Sequence, residues 1–183
     1  MLPFAWLIWG AANDALGANP AEYLIRSTGE LTLRLLCVTL AITPLRQAFG
    51  LHALAKLRRM SGLLVFFYAC LHMLSYAWLD MGFEWIDVAK DIAKRPFILV
   101  GFTSFVLLSM LAATSFNQAV KWLGAKRWQM LHRAVYAIAA LALLHFFWMR
   151  AGKNNFADVW LYATIIVMLL AWRVMRKLKT TSE

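Results

Sequence analysis

Five long runs of apolar residues, parted by short polar or charged segments, set the pattern of the chain: Leu31–Ala48, Ser61–Leu79, Pro96–Thr114, Trp128–Met149 and Ala157–Met175. Each approaches the roughly 20 mostly apolar residues that a helix needs to cross a bilayer core. A sixth run, Met1–Ala12, is too short to cross alone. It has neither the basic n-region nor the A-x-A site of a signal peptide. It reads as the outer part of a first helix whose beginning is missing or very short. The pattern predicts an all-α integral membrane helix bundle, with five full transmembrane helices and a shortened first one. Local signals add detail. Asn19-Pro20-Ala21-Glu22 reads as an N-cap, a proline at N1 and an acid at N3, and Gly29 suits a C′ stop. Those signals predict a short helix over 20–28 lying on the outer surface. Pro96 can open the next helix, with Arg95 snorkelling at the interface.

Composition narrows the class. The 183 residues are 62% hydrophobic and 15% charged, with a mean hydropathy of +0.63. A chain of this size cannot hide so much apolar surface in one soluble core, and disorder requires low hydrophobicity. Net charge is +10 and the pI about 10.1. The positive charge is clustered between apolar runs, a topology signal and no nucleic-acid groove. Twelve of the nineteen basic residues fall in 46–59, 121–133 and 173–183, where Glu183 is the only acid. Positive loops stay in the cytoplasm. The C-terminus is therefore cytoplasmic, the loops 13–30, 80–95 and 150–158 lie outside, and the runs 61–79 and 128–149 both lead outward. Trp78, Trp85, Trp148 and Trp160 mark the outer edge, and Trp122, Trp128 and Trp172 the inner one, as an aromatic belt would. Cys37 and Cys70 sit in apolar runs without metal spacing and read as small buried hydrophobes.

The candidate chemistry lies in the histidines. His52 is a loop residue of the inner basic segment. His72, His132 and His145 are inside predicted spans, where ionisable groups are costly and tend to be functional. No carboxylate lies deep in a span, which argues against a proton-coupled pump. Neutral imidazole is an axial haem ligand, and a haem in a bundle takes histidines from facing helices at matching depth. His72 and His145 stand 13 and 18 residues above the basic edges at Arg59 and Arg127, on helices that run in parallel. Two readings stand: a haem pair, or hydrogen-bonded packing residues. His132 would lie about 20 Å below His145 and about 140° around a regular helix, so the two share no face. Arg34, near the outer end of its run, reads either as a snorkelling residue or as a partner for a haem propionate. Arg58 and Arg59 read as topology charges. Ser75, Tyr76 and Tyr136 stack on the faces of His72 or His132 and read as helix–helix hydrogen-bonding groups.

Leu-His-x-x-Ser-Tyr (71–76), Trp-Gln-x-Leu-His-Arg-x-x-Tyr (128–136) and His145 resemble the MsrQ (YedZ) family. Leu-Gly-Ala-Asn-Pro (16–20), Ser-Thr-Gly (27–29), Ile-Thr-Pro-Leu (42–45) and Lys-Arg-Pro-Phe (94–97) fit the same pattern. These are the haem-binding membrane subunits of the bacterial periplasmic methionine sulfoxide reductase system. The chain is similar, more distantly, to the ferric reductase and NADPH oxidase transmembrane domain. The resemblance runs nearly end to end. It implies a single domain over 1–183 with six-helix architecture, in the bacterial inner membrane, holding haem b, one or two. It implies electron transfer from the quinone pool or a cytosolic flavin reductase to a soluble molybdenum-cofactor partner, MsrP, which reduces oxidised methionine in envelope proteins. FMN is a further associated cofactor. His72 and His145 would hold the outer haem iron, and His132 a second, inner haem or its surroundings. Two departures stand out: Arg59 takes the place of a histidine thirteen residues before His72, and the first helix is short.

The chain has no G-x-G-x-x-G phosphate loop and no nucleophile or metal cluster for sulfoxide reduction, so that chemistry is expected on the partner. Beside the haem electron-transfer subunit stand two alternatives. One is a quinone-linked b-type cytochrome with another external acceptor such as ferric iron. The other is a haem-free membrane scaffold or transporter in which the histidines only pack.

Overall fold

The computed structural model describes residues 2–152 and 154–181. Met1, at the head of the first run, and Glu183, the one acid of the basic segments, lie outside the described residues. The described residues are helical, with turns between and no strand among them. The helices are α1 (Leu2–Ala12), α2 (Pro20–Phe49), α3 (Leu54–Ser75), α4 (Trp85–Lys94), α5 (Pro96–Ala113), α6 (Asn117–Leu123), α7 (Ala125–His132), α8 (Val135–Ala151) and α9 (Ala157–Thr181). Among the described residues, five segments are long and apolar enough to cross a membrane: Pro20–Phe49, Leu54–Asp80, Pro96–Ala113, Ala125–Ala151 and Ala157–Lys179. The chain is a multi-pass, all-α membrane protein.

The start of α2 follows its sequence signals. The Asn19 side chain accepts the Glu22 amide at 3.1 Å, and Pro20 occupies the first turn. Its end does not. Gly29 does not stop the helix, and the expected surface helix over 20–28 is the first third of a 30-residue rod. The rod ends at Gly50, in the left-handed conformation with φ +66°. Pro44 sits inside α2 and lacks the N–H that would bond the carbonyl of Leu40. The Arg173 guanidinium, reaching from α9, donates to that carbonyl instead, and also to Leu169 O. A backbone acceptor at membrane depth needs such a partner.

Two further stretches depart from expectation. The segment 80–95 is not merely a loop, because α4 lies within it, apolar on one side and charged on the other. It is tied down by Asp91, which accepts the Tyr76 hydroxyl at 2.7 Å and pairs with Arg95 at 2.6 Å. Tyr76 opens a π-helical turn (Tyr76–Asp80) that continues α3 beyond His72. The expected span Trp128–Met149 is interrupted at Arg133–Ala134, between α7 and α8. The regular-helix rise and angle between His132 and His145 therefore do not apply across that break. Tyr136, beyond the break, carries Arg173 over its ring at 5.6 Å.

Helix α2 packs chiefly on α3, and α5 on α8. The buried centre joins Leu33, Leu36 and Leu40 of α2 with Val65, Leu108, Ile138 and their neighbours on α3, α5, α8 and α9. Lipid tails are as apolar as leucine, so close packing and interhelical hydrogen bonds hold such a bundle together. Ala139 is completely buried, and Ser104 Oγ donates to Ile138 O at 3.2 Å, which draws α5 against α8. Apolar side chains such as Val167 and Leu178 stay exposed on the outside, the surface that lipid covers.

Candidate functional site

Helices α3 and α8 bring two imidazoles together. The ring centres of His72 and His145 are 6.2 Å apart, with planes inclined by 73°. Each ring is seated on a glycine of the helix its own helix packs against. A Cβ on Gly29 would lie 2.9 Å from His72 Cε1, and one on Gly101 would lie 2.7 Å from His145 Nδ1. Carbon contacts are ordinarily about 3.5–4.0 Å, so these positions accept no side chain without displacing a histidine. Four residues before each glycine, a main-chain carbonyl meets the ring: Ile25 O lies 2.9 Å from His72 Nδ1, and Phe97 O lies 2.6 Å from His145 Nδ1. A carbonyl only accepts, so in both rings Nδ1 carries the hydrogen and Nε2 keeps its lone pair. The two half-sites are built alike, with 47 residues from carbonyl to histidine in one and 48 in the other.

Both histidines line a cavity of about 470 Å³. Its walls are apolar, with Leu36, Val65, Phe102 and Phe105 among them, and its mouth carries Asn19, Arg26, Tyr76, Asp80 and Arg95. Arg26 pairs with Glu22 at 2.6 Å. Two imidazoles holding one metal end-on have ring centres about 6 Å apart, from two metal–nitrogen bonds of about 2 Å plus an offset of about 1 Å in each ring. The observed spacing, the Nε2 atoms left without hydrogen and the apolar walls fit a haem iron held by both histidines. Nδ1–H donation to a carbonyl is also the outer contact that fixes the orientation of metal-ligating histidines. Arg34 is elsewhere: it does not line this cavity, and its guanidinium is held by Glu30 at 2.6 Å and Tyr162 Oη at 3.0 Å, joining α2 to α9.

A second cavity, about 690 Å³, opens at the other end of the bundle among Arg58, Arg59, His132, Arg133, Tyr136 and Arg173. His132 is prepared differently. Its Nε2 lies 3.2 Å from Thr114 Oγ1, which is also 2.8 Å from Met110 O. That hydroxyl also reaches Leu111 O at 3.2 Å, and a hydroxyl both donates and accepts, so this contact does not set the tautomer of His132 as the carbonyls do for His72 and His145. The ring also stacks on Trp128 at 3.9 Å. Among the described residues, no second histidine lines this cavity. Arg59, thirteen residues before His72, donates to Ser115 O and Asn117 Oδ1. The structure thus brings together two of the three span histidines and sets His132 apart.

Gly29 and Gly101 went unmarked as seats in the sequence, although each lies four residues after an apolar residue whose carbonyl accepts from a histidine. The partnership of Pro44 with Arg173 left a signal too, a proline inside a predicted span and an arginine near the end of another.

Residues 28–144 match the family described as ferric reductase like transmembrane component. The chain is 64% identical over 174 residues to a protein of Polaromonas naphthalenivorans named protein-methionine-sulfoxide reductase heme-binding subunit MsrQ, covering 95% of this chain and 80% of that one. Proteins of the same name from Bordetella parapertussis and Azospira oryzae are 55% and 46% identical, over 95% and 98% of this chain and 84% and 76% of theirs. No solved structure matches the chain.

Proposed function

This chain belongs to the ferric reductase-like transmembrane family, in its MsrQ branch, and on that premise we propose that it is a haem b electron-transfer subunit. In this reading it takes electrons from the quinone pool or a cytosolic flavin reductase. It delivers them across the bacterial inner membrane to a periplasmic molybdenum-cofactor methionine sulfoxide reductase, MsrP, for repair of oxidised envelope proteins. The basic end, with Arg58, Arg59 and Arg133, faces the cytoplasm under the positive-inside rule, and the cavity of His72 and His145 opens toward the periplasm.

The observation that carries the reading is the matched pair of half-sites: two imidazoles 6.2 Å apart, each with Nδ1–H given to a main-chain carbonyl. Haem bound there would supply one-electron chemistry at a potential set by its axial ligands and surroundings. The chain's own residues do the rest. His72 and His145 present Nε2 as ligands. Ile25 O and Phe97 O fix the orientation of both rings. Leu36, Val65, Phe102 and Phe105 exclude water. Arg26 and Arg95, at the mouth of this cavity, are the guanidinium groups placed to meet an acidic edge, while Arg34 ties α2 to α9. Sulfoxide chemistry belongs to the partner.

The test is a reduced-minus-oxidised optical spectrum of the purified chain beside His72→Ala, His145→Ala and His132→Ala, with haem extracted and counted. One b-type haem per chain is expected, lost in the first two variants and kept in the third. Correctly inserted protein without haem, or haem indifferent to both His72 and His145, overturns the assignment and favours a scaffold. A co-expressed MsrP that draws no electrons from the reduced chain would instead favour another external acceptor.

A further inference from the structure

We propose that α4 is seated in the membrane surface at the His72 end of the bundle, and that through it lipid holds Tyr76 and Arg95 at the mouth of the histidine cavity. Chain connectivity sets the frame. The span Leu54–Asp80 ends just before α4, and the span Pro96–Ala113 begins just after it. Two consecutive spans leave and re-enter the membrane on the same side, so both ends of α4 are fixed at one surface. Its ten residues make about 15 Å of helix, which lies along that surface.

The helix has three sides. At about 100° per residue, Val88, Asp91 and Ile92 fall together, and there Val88 is buried and the other two are half-buried against the bundle. Trp85, Ile86, Ala89 and Ala93 form a second side, exposed and apolar. Asp87, Lys90 and Lys94 form a third, exposed and charged. A helix on the surface of a soluble domain needs only a core face and a polar face. The additional apolar side, set between those two, suits a helix lying in the headgroup region. It rests on lipid beside the bundle and turns its charges to water.

Aromatic rings extend the apolar side. Phe83 lies between two tryptophans, with ring centres 6.3 Å from Trp78 and 5.6 Å from Trp85. Its backbone adopts φ +63° to stand there, a conformation rare for a bulky residue. Trp78 and Trp85 are each 63% exposed, and Ile86 is 72% exposed. Trp78 belongs to the end of a span, so the patch begins on the surface that lipid covers and passes ring by ring onto α4. Indole rings favour the bilayer interface, which accommodates both an apolar body and an N–H. That continuity selects lipid, and not a soluble protein, as the occupant.

The opposite side of α4 reaches the cavity. Asp91 accepts the Tyr76 hydroxyl at 2.7 Å and pairs with Arg95 at 2.6 Å, and both partners line the cavity of His72 and His145. Tyr76 opens the π-helical turn that runs to Asp80, another residue of that lining. One short helix therefore joins a lipid contact to the cavity mouth. Lipid that seats Trp85 and Ile86 fixes Asp91, and with it the two side chains that Asp91 holds. None of these contacts requires haem, so failure here leaves the haem reading standing.

The test places the full chain in nanodiscs of phosphatidylcholine and phosphatidylglycerol. A nitroxide is attached at Ala89→Cys or at Asp87→Cys, each in a Cys37→Ala, Cys70→Ala background. Its collisions with oxygen, which concentrates in lipid, are compared with its collisions with a water-soluble nickel chelate. The oxygen-to-nickel ratio is expected to be at least fivefold higher at position 89 than at position 87. Equal ratios, or a higher ratio at 87, overturn the proposal and leave the aromatic patch as a docking surface for a protein. Hydrogen exchange reads the coupling. Trp85→Ser with Ile86→Ser should accelerate amide exchange over 76–80 at least threefold while α5 stays protected. Trp85→Phe with Ile86→Leu should restore the wild-type rate. Exchange over 76–80 that is the same in all three proteins overturns the link between lipid and cavity mouth.

Discussion

Replacing Gly101 by alanine is the sharpest test of how the histidine pair is held. The new methyl would sit 2.7 Å from His145 Nδ1, 2.9 Å from Cε1 and 3.1 Å from Cγ. An ordinary contact is about 3.5 Å, so the ring must retreat by about 0.8 Å. The Nδ1–H bond to Phe97 O, now 2.6 Å, points to the same side of the ring, and such a retreat stretches it beyond the ~3.2 Å limit of a good hydrogen bond. The loss is about 0.5–1.5 kcal/mol for the bond itself. Metal sites that lose such an outer contact weaken by about 10- to 100-fold. Haem transfer from the purified chain to excess apomyoglobin measures the effect, and Gly101→Ala is expected to release haem at least tenfold faster than wild type. Gly62→Ala is the control, because a Cβ there meets nothing within 4 Å and alanine favours the helix. Equal haem release by wild type, Gly62→Ala and Gly101→Ala would refute the seat. A wild type without haem would instead refute the proposed cofactor.

Two further predictions concern the frame around that site. Arg173→Met should destabilise the bundle by about 1–3 kcal/mol, since it orphans the Leu40 carbonyl; in a Pro44→Ala background the new N–H at 44 takes that carbonyl, so the penalty should shrink by about 1 kcal/mol. Thermal melting of the four proteins in detergent gives the coupling, and strict additivity would show that the two residues are unrelated. Asp91→Asn weakens its contacts with both Tyr76 and Arg95, so amide exchange over 85–94 should accelerate tenfold or more while α5 stays protected; unchanged exchange would mean that α4 is held by its apolar face alone.

Much of this architecture was legible in the pattern of apolar runs. All five spans stand out by length, and Pro96 marks the start of α5 as expected. The failures have a common physical root. Gly29 costs a helix about 1 kcal/mol relative to alanine, which is why it reads as a stop. Here the missing side chain makes room for His72, and packing overrides propensity. The break at Arg133–Ala134 carries no proline or glycine and left no local mark. Depth counting picked out His72 and His145 but could not orient their rings, because the carbonyls of Ile25 and Phe97 belong to other helices. His132 differs from the other two in its partner, the Thr114 hydroxyl in place of a main-chain carbonyl, which no spacing rule encodes.

The two half-sites also bear on biogenesis. His72 is seated within the α2–α3 pair and His145 within the α5–α8 pair. A nascent chain entering the membrane from its N-terminus completes the first pair before α8 has been synthesised. Until the pairs meet, each offers a single imidazole, and one axial bond holds a haem far less firmly than two. On the proposed haem reading, capture would then be a late event that follows insertion of both pairs. On that reading, a chain that mispairs in the bilayer would remain colourless.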